Sequence, residues 1–353
     1  MPRVSAGRLT SFVARVLDVV GTPRDVAQRV AEHTVDANLT GHDSHGVLRL
    51  EGYLDHVEIG YVDPAAQPTI IRETSTTALI DGEFAWGPVV ADFAMETAIE
   101  KATEHSLSAV SIYRAYHIGR LGPYLLQATR RGYIGIAFCN VHGSARAAPW
   151  GGTQRRLPTN PIAFAIPTSG KPILTDFATT AVAEGKVRAA KITGQQVPAG
   201  WVLDGEGRPS CDPNDLYGEG SLANLGGDQG HKGYSLAVAM DLLGGVLSGI
   251  GTGLMSSERY GNGVLFQVLD PAAFTDPAEY KQRIDKYAAY LRSARRREGV
   301  DEIFLPGEIE DRRSAERRRS GLEVPDPVWE RLSVLSERYG VALPPINGGA
   351  MLS

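Results

Sequence analysis

Apolar side chains recur with a helical period at both ends of the chain. Near the N-terminus, Thr22–Asp25 supplies a cap, a proline at the first helical position and an acid in the first turn, and Gly41 ends the predicted helix. Similar signals predict one helix from Asp276 toward Arg297 and another over 326–340. We expect these two helical ends to pack together as one lobe.

A further helix is predicted from about Ser44 onward, at a corner that follows Gly41. In it His45, Arg49 and Tyr53 recur every four residues and therefore project from one face. Side chains at such a corner are exposed to a cleft.

Between the two ends, apolar runs typical of strands alternate with helical patterns. The segment 60–68 contains glycine and prolines and is predicted to be a domain boundary, and amphipathic helices are predicted over 89–104 and 121–130. The alternation favours an α/β or α+β fold in which 69–270 form the central domain and 1–68 join 271–353 in the helical lobe. The predicted strands are 77–80, 108–112, 134–138, 162–166 and 264–270.

Composition narrows the class of protein. The chain of 353 residues has 42% hydrophobic and 22% charged residues, which is typical of a soluble globular protein, and its formal charge of −5 argues against a nucleic-acid partner. Cys139 and Cys211 are too few for a disulfide framework, and Arg15 interrupts the only apolar run that a signal peptide would need. The most apolar stretch, 234–255, contains Asp241 and several glycines, which predicts a buried helix and turn rather than a membrane span. We therefore expect a cytoplasmic enzyme.

The pair His45 and Arg49 is the first candidate site. An imidazole that exchanges a proton near neutral pH, beside a fixed cation, suits a small substrate that carries a carboxylate. Ser44 or Asp43 can cap the helix start, where free backbone N–H groups also favour an anion. The alternative is a surface salt-bridge pair.

His117 is the second candidate, because it follows a predicted strand and opens a predicted helix, where open sheets place ligand-binding groups. The alternative is a capping or packing histidine. No Gly-x-Gly-x-x-Gly, Walker A or zinc-binding motif occurs, so a dinucleotide would be held in another way and no metal is expected.

Several loops are candidates for binding a ribose or phosphate. Asp176–Thr180 and Glu184–Lys186 follow a short predicted strand, where backbone donors and hydroxyls can cradle such groups. Gly226–Tyr234 is glycine-dense and brings Lys232 to a helix start, which is typical either of a pyrophosphate site or of a flexible turn. The arginine clusters of the C-terminal part are expected to be solvated helix faces, although Arg312 or Arg313 could contact a phosphate.

These pieces resemble, nearly end to end, the type 2 malate/L-lactate dehydrogenase family, which includes ureidoglycolate, sulfolactate and diketogulonate oxidoreductases and piperideine-2-carboxylate reductases. The motifs that carry the resemblance are Asp43-Ser44-His45-Gly46 with Arg49, His117 with Gly119, Gly122 and Tyr124, Gly151-Gly152 with Thr159-Asn160-Pro161, Asp176 with Ala178-Thr179, Pro198 with Gly200-Trp201, Asp212-Pro213, Gly226-Gly227 with His231-Lys232-Gly233-Tyr234, and Pro306-Gly307-Glu308.

The resemblance implies a non-Rossmann, nicotinamide-binding mixed sheet with flanking helices, NAD or NADP as cofactor, a homodimer, and a cleft between the helical substrate and dimer lobe and the dinucleotide-binding domain. It implies that His45, supported by Ser44, or alternatively His117, exchanges the substrate proton and that Arg49 holds the substrate carboxylate. Further substrate contacts are implied for Thr159, Glu184 and Gly185, and cofactor contacts for His117, Gly119, Leu121, Asp176, Phe177, Ala178, His231, Lys232, Pro306, Gly307, Glu308 and Arg312.

The chain departs from the family pattern at four places, one of which is a longer segment between Asn140 and Gly151 to which no cofactor contact is carried over. Ala115–Tyr116 precede His117 where the family often has Ser-Asn, and Pro158 replaces a glycine. Lys186 stands where an acid of the imine reductases aligns, which favours a 2-oxo or 2-hydroxy acid over a cyclic imino acid. These departures leave three hypotheses: hydride transfer with a small 2-oxo or 2-hydroxy acid, reduction of a cyclic imino acid, or a member that binds ligands without redox turnover.

Overall fold

The structure is a computed structural model that describes residues 1–255 and 259–346. Within this part of the chain the helices are α1 (Ala6–Val19), α2 (Arg24–Leu39), α3 (Leu50–Glu58), α4 (Gly87–His105), α5 (Gly122–Arg130), α6 (Glu184–Ile192), α7 (His231–Met240), α8 (Pro277–Arg292), α9 (Glu308–Ser320) and α10 (Asp326–Tyr339). The strands are β1 (Arg3–Val4), β2 (Thr69–Glu73), β3 (Thr77–Asp81), β4 (Leu107–Ala115), β5 (Ile134–His142), β6 (Ile162–Ile166), β7 (Ile173–Phe177), β8 (Val202–Leu203), β9 (Pro209–Ser210), β10 (Ser221–Leu222), β11 (Gly261–Leu269) and β12 (Leu322–Glu323).

A seven-stranded mixed sheet forms the centre of the molecule, in the order β2-β3-β4-β11-β5-β6-β7. β3 and β4 run parallel and the other neighbouring pairs run antiparallel. Helices α4 and α5 pack on this sheet, and the apolar residues between them form one continuous core. The mixed α/β fold confirms the sequence-based fold class, and each predicted strand lies within or overlaps an observed one.

The two ends of the chain share a second core. Apolar residues of α1, α2 and α3 pack against residues of α10, and β1 pairs antiparallel with β12. The two ends therefore pack together as expected. The division of 1–68 and 271–353 from 69–270 stays a prediction, and in α8 only Ala288 is buried.

The helix predicted from Ser44 is wrong in detail. Two 3₁₀ turns, Asp43–His45 and Val47–Arg49, are separated by an extended Gly46 with φ −87° and ψ −153° before α3 begins. The cause is Asn38 of α2, whose side chain accepts a hydrogen bond from the Val47 N–H at 2.9 Å and donates one to Asp43 at 2.7 Å. A Cβ at position 46 would lie 2.2 Å from Asn38 Oδ1, so the turn needs glycine there.

The apolar stretch 234–255 is buried on one side only, so the prediction of a buried helix is wrong for its other face. After α7 the chain forms a π-helical segment, Asp241–Val246, which packs on β5 and β11 through glycines 244 and 245. The opposite face exposes Leu236, Leu242, Val246 and Leu247 by 36–59%. None of the helices in 1–255 and 259–346 has the length and apolar character needed to cross a membrane.

The remaining differences concern two element boundaries and several strands that the sequence does not predict. β7 extends to Phe177, so Asp176 lies inside a strand rather than after it, and α8 ends at Arg292 rather than near Arg297. The edge strand β2 and the small sheet β10-β8-β9 lack a strand pattern in the sequence because they are short or exposed.

Candidate active site

A cavity of about 1610 Å³ opens between the turn 43–53, the loop 116–121 that follows β4, the loop 153–161 and the segment 176–188. Its volume exceeds the roughly 300–1,000 Å³ of an ordinary small-molecule pocket. It therefore has room for a dinucleotide and a small acid together. Ser44, His45, Arg49, His117 and Thr159 all line it, although they are dispersed over more than 110 positions of the chain.

His45 is held by the turn that carries it. The Ser44 hydroxyl lies 3.0 Å from His45 Nδ1, and Arg49 Nε donates to the Ser44 carbonyl oxygen at 2.9 Å. Gly185 packs directly on Ser44, because a Cβ at position 185 would come 2.2 Å from the Ser44 Cβ. The turn is thus clamped from α6, and His45 Nε2 has no hydrogen-bond partner within the described residues.

His117 is held from a different set of elements. Its Nδ1 lies 2.8 Å from the Tyr53 hydroxyl, and the next backbone N–H, of Ile118, donates to Asn262 Oδ1 at 3.0 Å. Gly87 at the start of α4 lies against the carbonyl oxygen of His117, because a Cβ at position 87 would come 2.2 Å from that oxygen. The strand end, α3, α4 and β11 therefore fix this imidazole together.

The imidazole rings of His45 and His117 stack. Their centroids are 5.7 Å apart with an interplanar angle of 12°, and the Tyr260 ring also stacks on His117, at a centroid distance of 6.1 Å and an angle of 27°. Burial, and then the charge of Arg49, lower the pKa of both histidines well below the ordinary value. Both rings are therefore neutral at neutral pH, each with a hydroxyl at Nδ1.

Arg49 is paired on one side with Glu184. Its Nη2 lies 3.8 Å from Glu184 Oε2, and Glu184 also accepts hydrogen bonds from Arg188 at 3.0 and 3.1 Å and from the Tyr217 hydroxyl at 2.8 Å. Burial alone would raise the pKa of Glu184, but Arg49 and Arg188 hold it below its ordinary value. The carboxylate stays ionised, and the cavity wall there carries more positive than negative charge.

Glu184, rather than Lys186, is the acid beside the Ser44–His45 pair. Glu184 is buried and its neighbour Gly185 touches Ser44, whereas the Lys186 side chain is exposed. An acid therefore stands close to this pair, and the preference for a 2-oxo acid that was drawn from Lys186 stays a prediction.

Part of the set predicted to bind a dinucleotide meets along one wall of the cavity. Gly119, Leu121, Asp176, Phe177 and Ala178 line it. Asp176 Oδ2 accepts the Gly122 N–H at 2.9 Å, which joins β7 to the start of α5 and leaves Oδ1 as an acceptor. A carboxylate acceptor beside backbone N–H groups at a helix start fits the hydroxyls and phosphates of a dinucleotide.

The rest of the predicted cofactor set does not line this cavity. His231 and Lys232 are exposed at the start of α7, where His231 packs edge-on to Trp150. The Pro306 carbonyl accepts the Leu174 N–H at 3.1 Å, and Gly307 borders a second cavity instead. Glu308 accepts from the Leu305 N–H and from Arg292, and Arg312 pairs with Glu302 at 2.6 Å. Cofactor contacts by these residues stay predictions.

The structure accommodates two of the departures from the family pattern, Pro158 and Tyr116, in the wall of the cavity. Pro158 and Thr159 line the cavity, and the Thr159 carbonyl accepts the N–H of Thr179 at 3.0 Å, which joins the loop to β7's end. The Tyr116 hydroxyl pairs with His56 Nδ1 at 2.7 Å inside an aromatic cluster. Among the described residues no group of three or more His, Cys, Asp or Glu side chains is arranged to hold a metal ion.

Three side chains of the site have no signal in the sequence. Arg188, Tyr260 and Asn262 line the same cavity, but none of them stands in a sequence motif that indicates a site. Tyr53, which also lines the cavity, does have a signal, because it lies eight positions after His45.

Comparison with known proteins places this geometry in a family. The family described as malate/L-lactate dehydrogenase matches residues 4–333. The malate dehydrogenase of Pyrococcus abyssi is 36% identical over 348 residues, covering 96% of this chain and 95% of that protein. The L-sulfolactate dehydrogenase of Methanothermobacter thermautotrophicus is 33% identical, covering 97% of this chain and 98% of that protein.

Solved structures agree with the sequence matches. The malate dehydrogenase of Entamoeba histolytica superposes with a TM-score of 0.91 at 31% identity, covering 97% of this chain and 99% of that one. The Δ1-piperideine-2-carboxylate reductase of Pseudomonas syringae superposes with a TM-score of 0.80 at 28% identity, covering 95% and 100%. The chain therefore belongs to the malate/L-lactate dehydrogenase family and is a dehydrogenase acting on CH–OH groups.

Proposed function

We propose that this chain interconverts a small 2-hydroxy acid and the corresponding 2-oxo acid with NAD or NADP. The observation that carries the proposal is the pair of stacked, neutral imidazoles beside a half-buried arginine in one cavity. A neutral imidazole accepts the proton of a substrate hydroxyl, and the arginine holds the carboxylate in register.

We assign the proton transfer to His45. Ser44 at Nδ1 fixes the ring and leaves Nε2 toward the substrate oxygen. In oxidation, Nε2 takes the hydroxyl proton while the C2 hydrogen leaves as hydride; in reduction, the protonated ring returns the proton to the carbonyl oxygen. The bound nicotinamide supplies or accepts that hydride.

His117 serves in this scheme as the ring that packs on His45 and closes the cavity floor. Its Nδ1 is engaged with Tyr53, and its backbone is fixed by Asn262. Arg49 orients the carboxylate, which is a positioning contribution to the rate. Asp176 and the loop from Gly119 to Gly122 would hold the dinucleotide.

The test is NADH and NADPH oxidation against a panel of 2-oxo acids and cyclic imino acids. We expect turnover with at least one 2-oxo acid, faster than with any imine. Turnover confined to imines would move the assignment to the second candidate, reduction of a cyclic imino acid, which Glu184 beside the Ser44–His45 pair supports. Silence across the panel despite cofactor binding would contradict both.

We also propose that the exposed face of α7 and the π-helical segment is covered by a second copy of this chain. Leu236, Leu242, Val246 and Leu247 are four large apolar side chains exposed within twelve positions, and large apolar patches on a protein surface often mark an interface. Light scattering on wild type and Leu242→Asp tests this: we expect a dimer that the aspartate weakens, and a wild-type monomer would contradict it.

A further inference from the structure

Tyr260 lies beside the pair His45 and His117 and has no role in the scheme above. Its ring stacks on His117 at 6.1 Å, and it also contacts Tyr116 and His56 at 6.0 and 5.8 Å. It lines the cavity together with His45 and Arg49. The ring is thus fixed by three aromatic neighbours, so the direction of its hydroxyl is fixed too.

Within the described residues, the Tyr260 hydroxyl differs from those of the neighbouring tyrosines in its hydrogen bonding. Tyr53 is bonded to His117 and Tyr116 to His56, whereas the Tyr260 hydroxyl has no hydrogen-bond partner among residues 1–255 and 259–346. A phenol at a ligand cavity with no internal partner is available to a ligand.

The charges around that hydroxyl favour an anion. Apart from burial, Arg49 has the largest influence on the pKa of Tyr260, followed by Glu184 and then Arg146 and Arg188. Burial raises that pKa, so the phenol keeps its proton throughout the neutral range and remains a donor.

Arg49 by itself provides an incomplete carboxylate site. Its Nε is committed to the Ser44 carbonyl and its Nη2 faces Glu184 at 3.8 Å, so a bidentate carboxylate would find only part of the guanidinium free. A second donor beside Arg49 supplies what is missing.

We propose that Tyr260 is a substrate-binding residue whose hydroxyl donates a hydrogen bond to the substrate carboxylate held by Arg49. The proposal rests on the 2-oxo acid function above. It makes recognition of the carboxylate depend on one charged and one neutral donor that lie more than 200 positions apart in the chain.

Tyr260→Phe tests this, because it removes the hydroxyl and keeps the ring stacked on His117. We expect the KM for the 2-oxo acid to rise about ten- to hundredfold, as for loss of a hydrogen bond to a charged group, with kcat little changed. The preference for the acid over its uncharged amide should fall by the same factor. Tyr133→Phe is the matched control, since that hydroxyl donates a hydrogen bond to Thr103 at the surface, away from the cavity.

Binding separates this inference from the proposed function. Oxamate, a non-reacting carboxylate, is titrated against each enzyme–NADH complex by fluorescence. Weaker oxamate binding in Tyr260→Phe, with an unchanged Kd for NADH, supports the assignment even where no substrate of the panel turns over. Unchanged oxamate affinity, or a raised Kd for NADH instead, overturns it.

Discussion

His45 and His117 are two imidazoles in one cavity, with parallel rings and lowered pKa values, yet they are built differently. His45 takes its hydroxyl partner from the adjacent residue, Ser44, on a turn clamped by Gly185. His117 takes its partner, Tyr53, from a helix 64 residues away. A local partner can adjust with the ring during proton transfer, whereas a distant one ties the ring to the fold. The difference is why we assign chemistry to His45 and support to His117.

Replacing each histidine with alanine is the strongest way to break this comparison. We expect His45→Ala to lower kcat by about 10²–10⁴, the usual contribution of a general acid–base, and His117→Ala by less. NADH binding, measured by fluorescence titration, should survive in His45→Ala. The reverse ranking, with near-normal turnover in His45→Ala, would move the acid–base role from His45 to His117.

Removing the two hydroxyls separately sharpens it. We expect Ser44→Ala to lower kcat about fivefold, since a net hydrogen bond of roughly 1 kcal/mol orients the reacting ring. Tyr53→Phe should cost less turnover but more thermal stability, because Tyr53 is buried between α3 and the loop after β4. Steady-state kinetics with thermal melts on both variants decide the matter, and equal effects on both measurements would erase the distinction.

The pH dependence of kcat/KM should show the smallest of the expected effects. Because a neutral imidazole is the base in oxidation, kcat/KM should stay level from neutral pH down past the ordinary histidine value and fall only as pH drops through the lowered pKa. Arg49→Gln removes a charge that lowers this pKa, so the falling limb should move to higher pH. A wild-type limb centred at or above the ordinary value would contradict a lowered pKa at the acting histidine.

Local patterns sufficed for much of the fold and for half of the site. Apart from the exposed edge strand β2, the strands of the central sheet alternate or run apolar over enough residues to be predicted, and His45, Arg49 and His117 stand in recognisable motifs. The break at Gly46 could not be predicted, since it is caused by Asn38 reaching back from another helix.

The remaining failures have the same physical origin. Tyr260 enters the cavity only because the bulge between Asn262 and Val264 and the pairing of β11 with β4 and β5 bring that strand end beneath His117. Hydrophobicity over 234–255 predicted burial, but the pattern alone does not reveal which of these apolar side chains pack on the sheet and which stay exposed.

The shared core of the two chain ends has a consequence for how the protein is made. The turn that carries His45 rests on α3, and α3 is held by α10 through the common core and through Arg331 and Arg338, which pair with Glu51 and Glu58. During translation the central sheet is complete while α10 is still to be synthesised. The turn that carries His45 therefore lacks this support until α10 has left the ribosome. Nascent chains should acquire the fold of the sheet before they acquire activity.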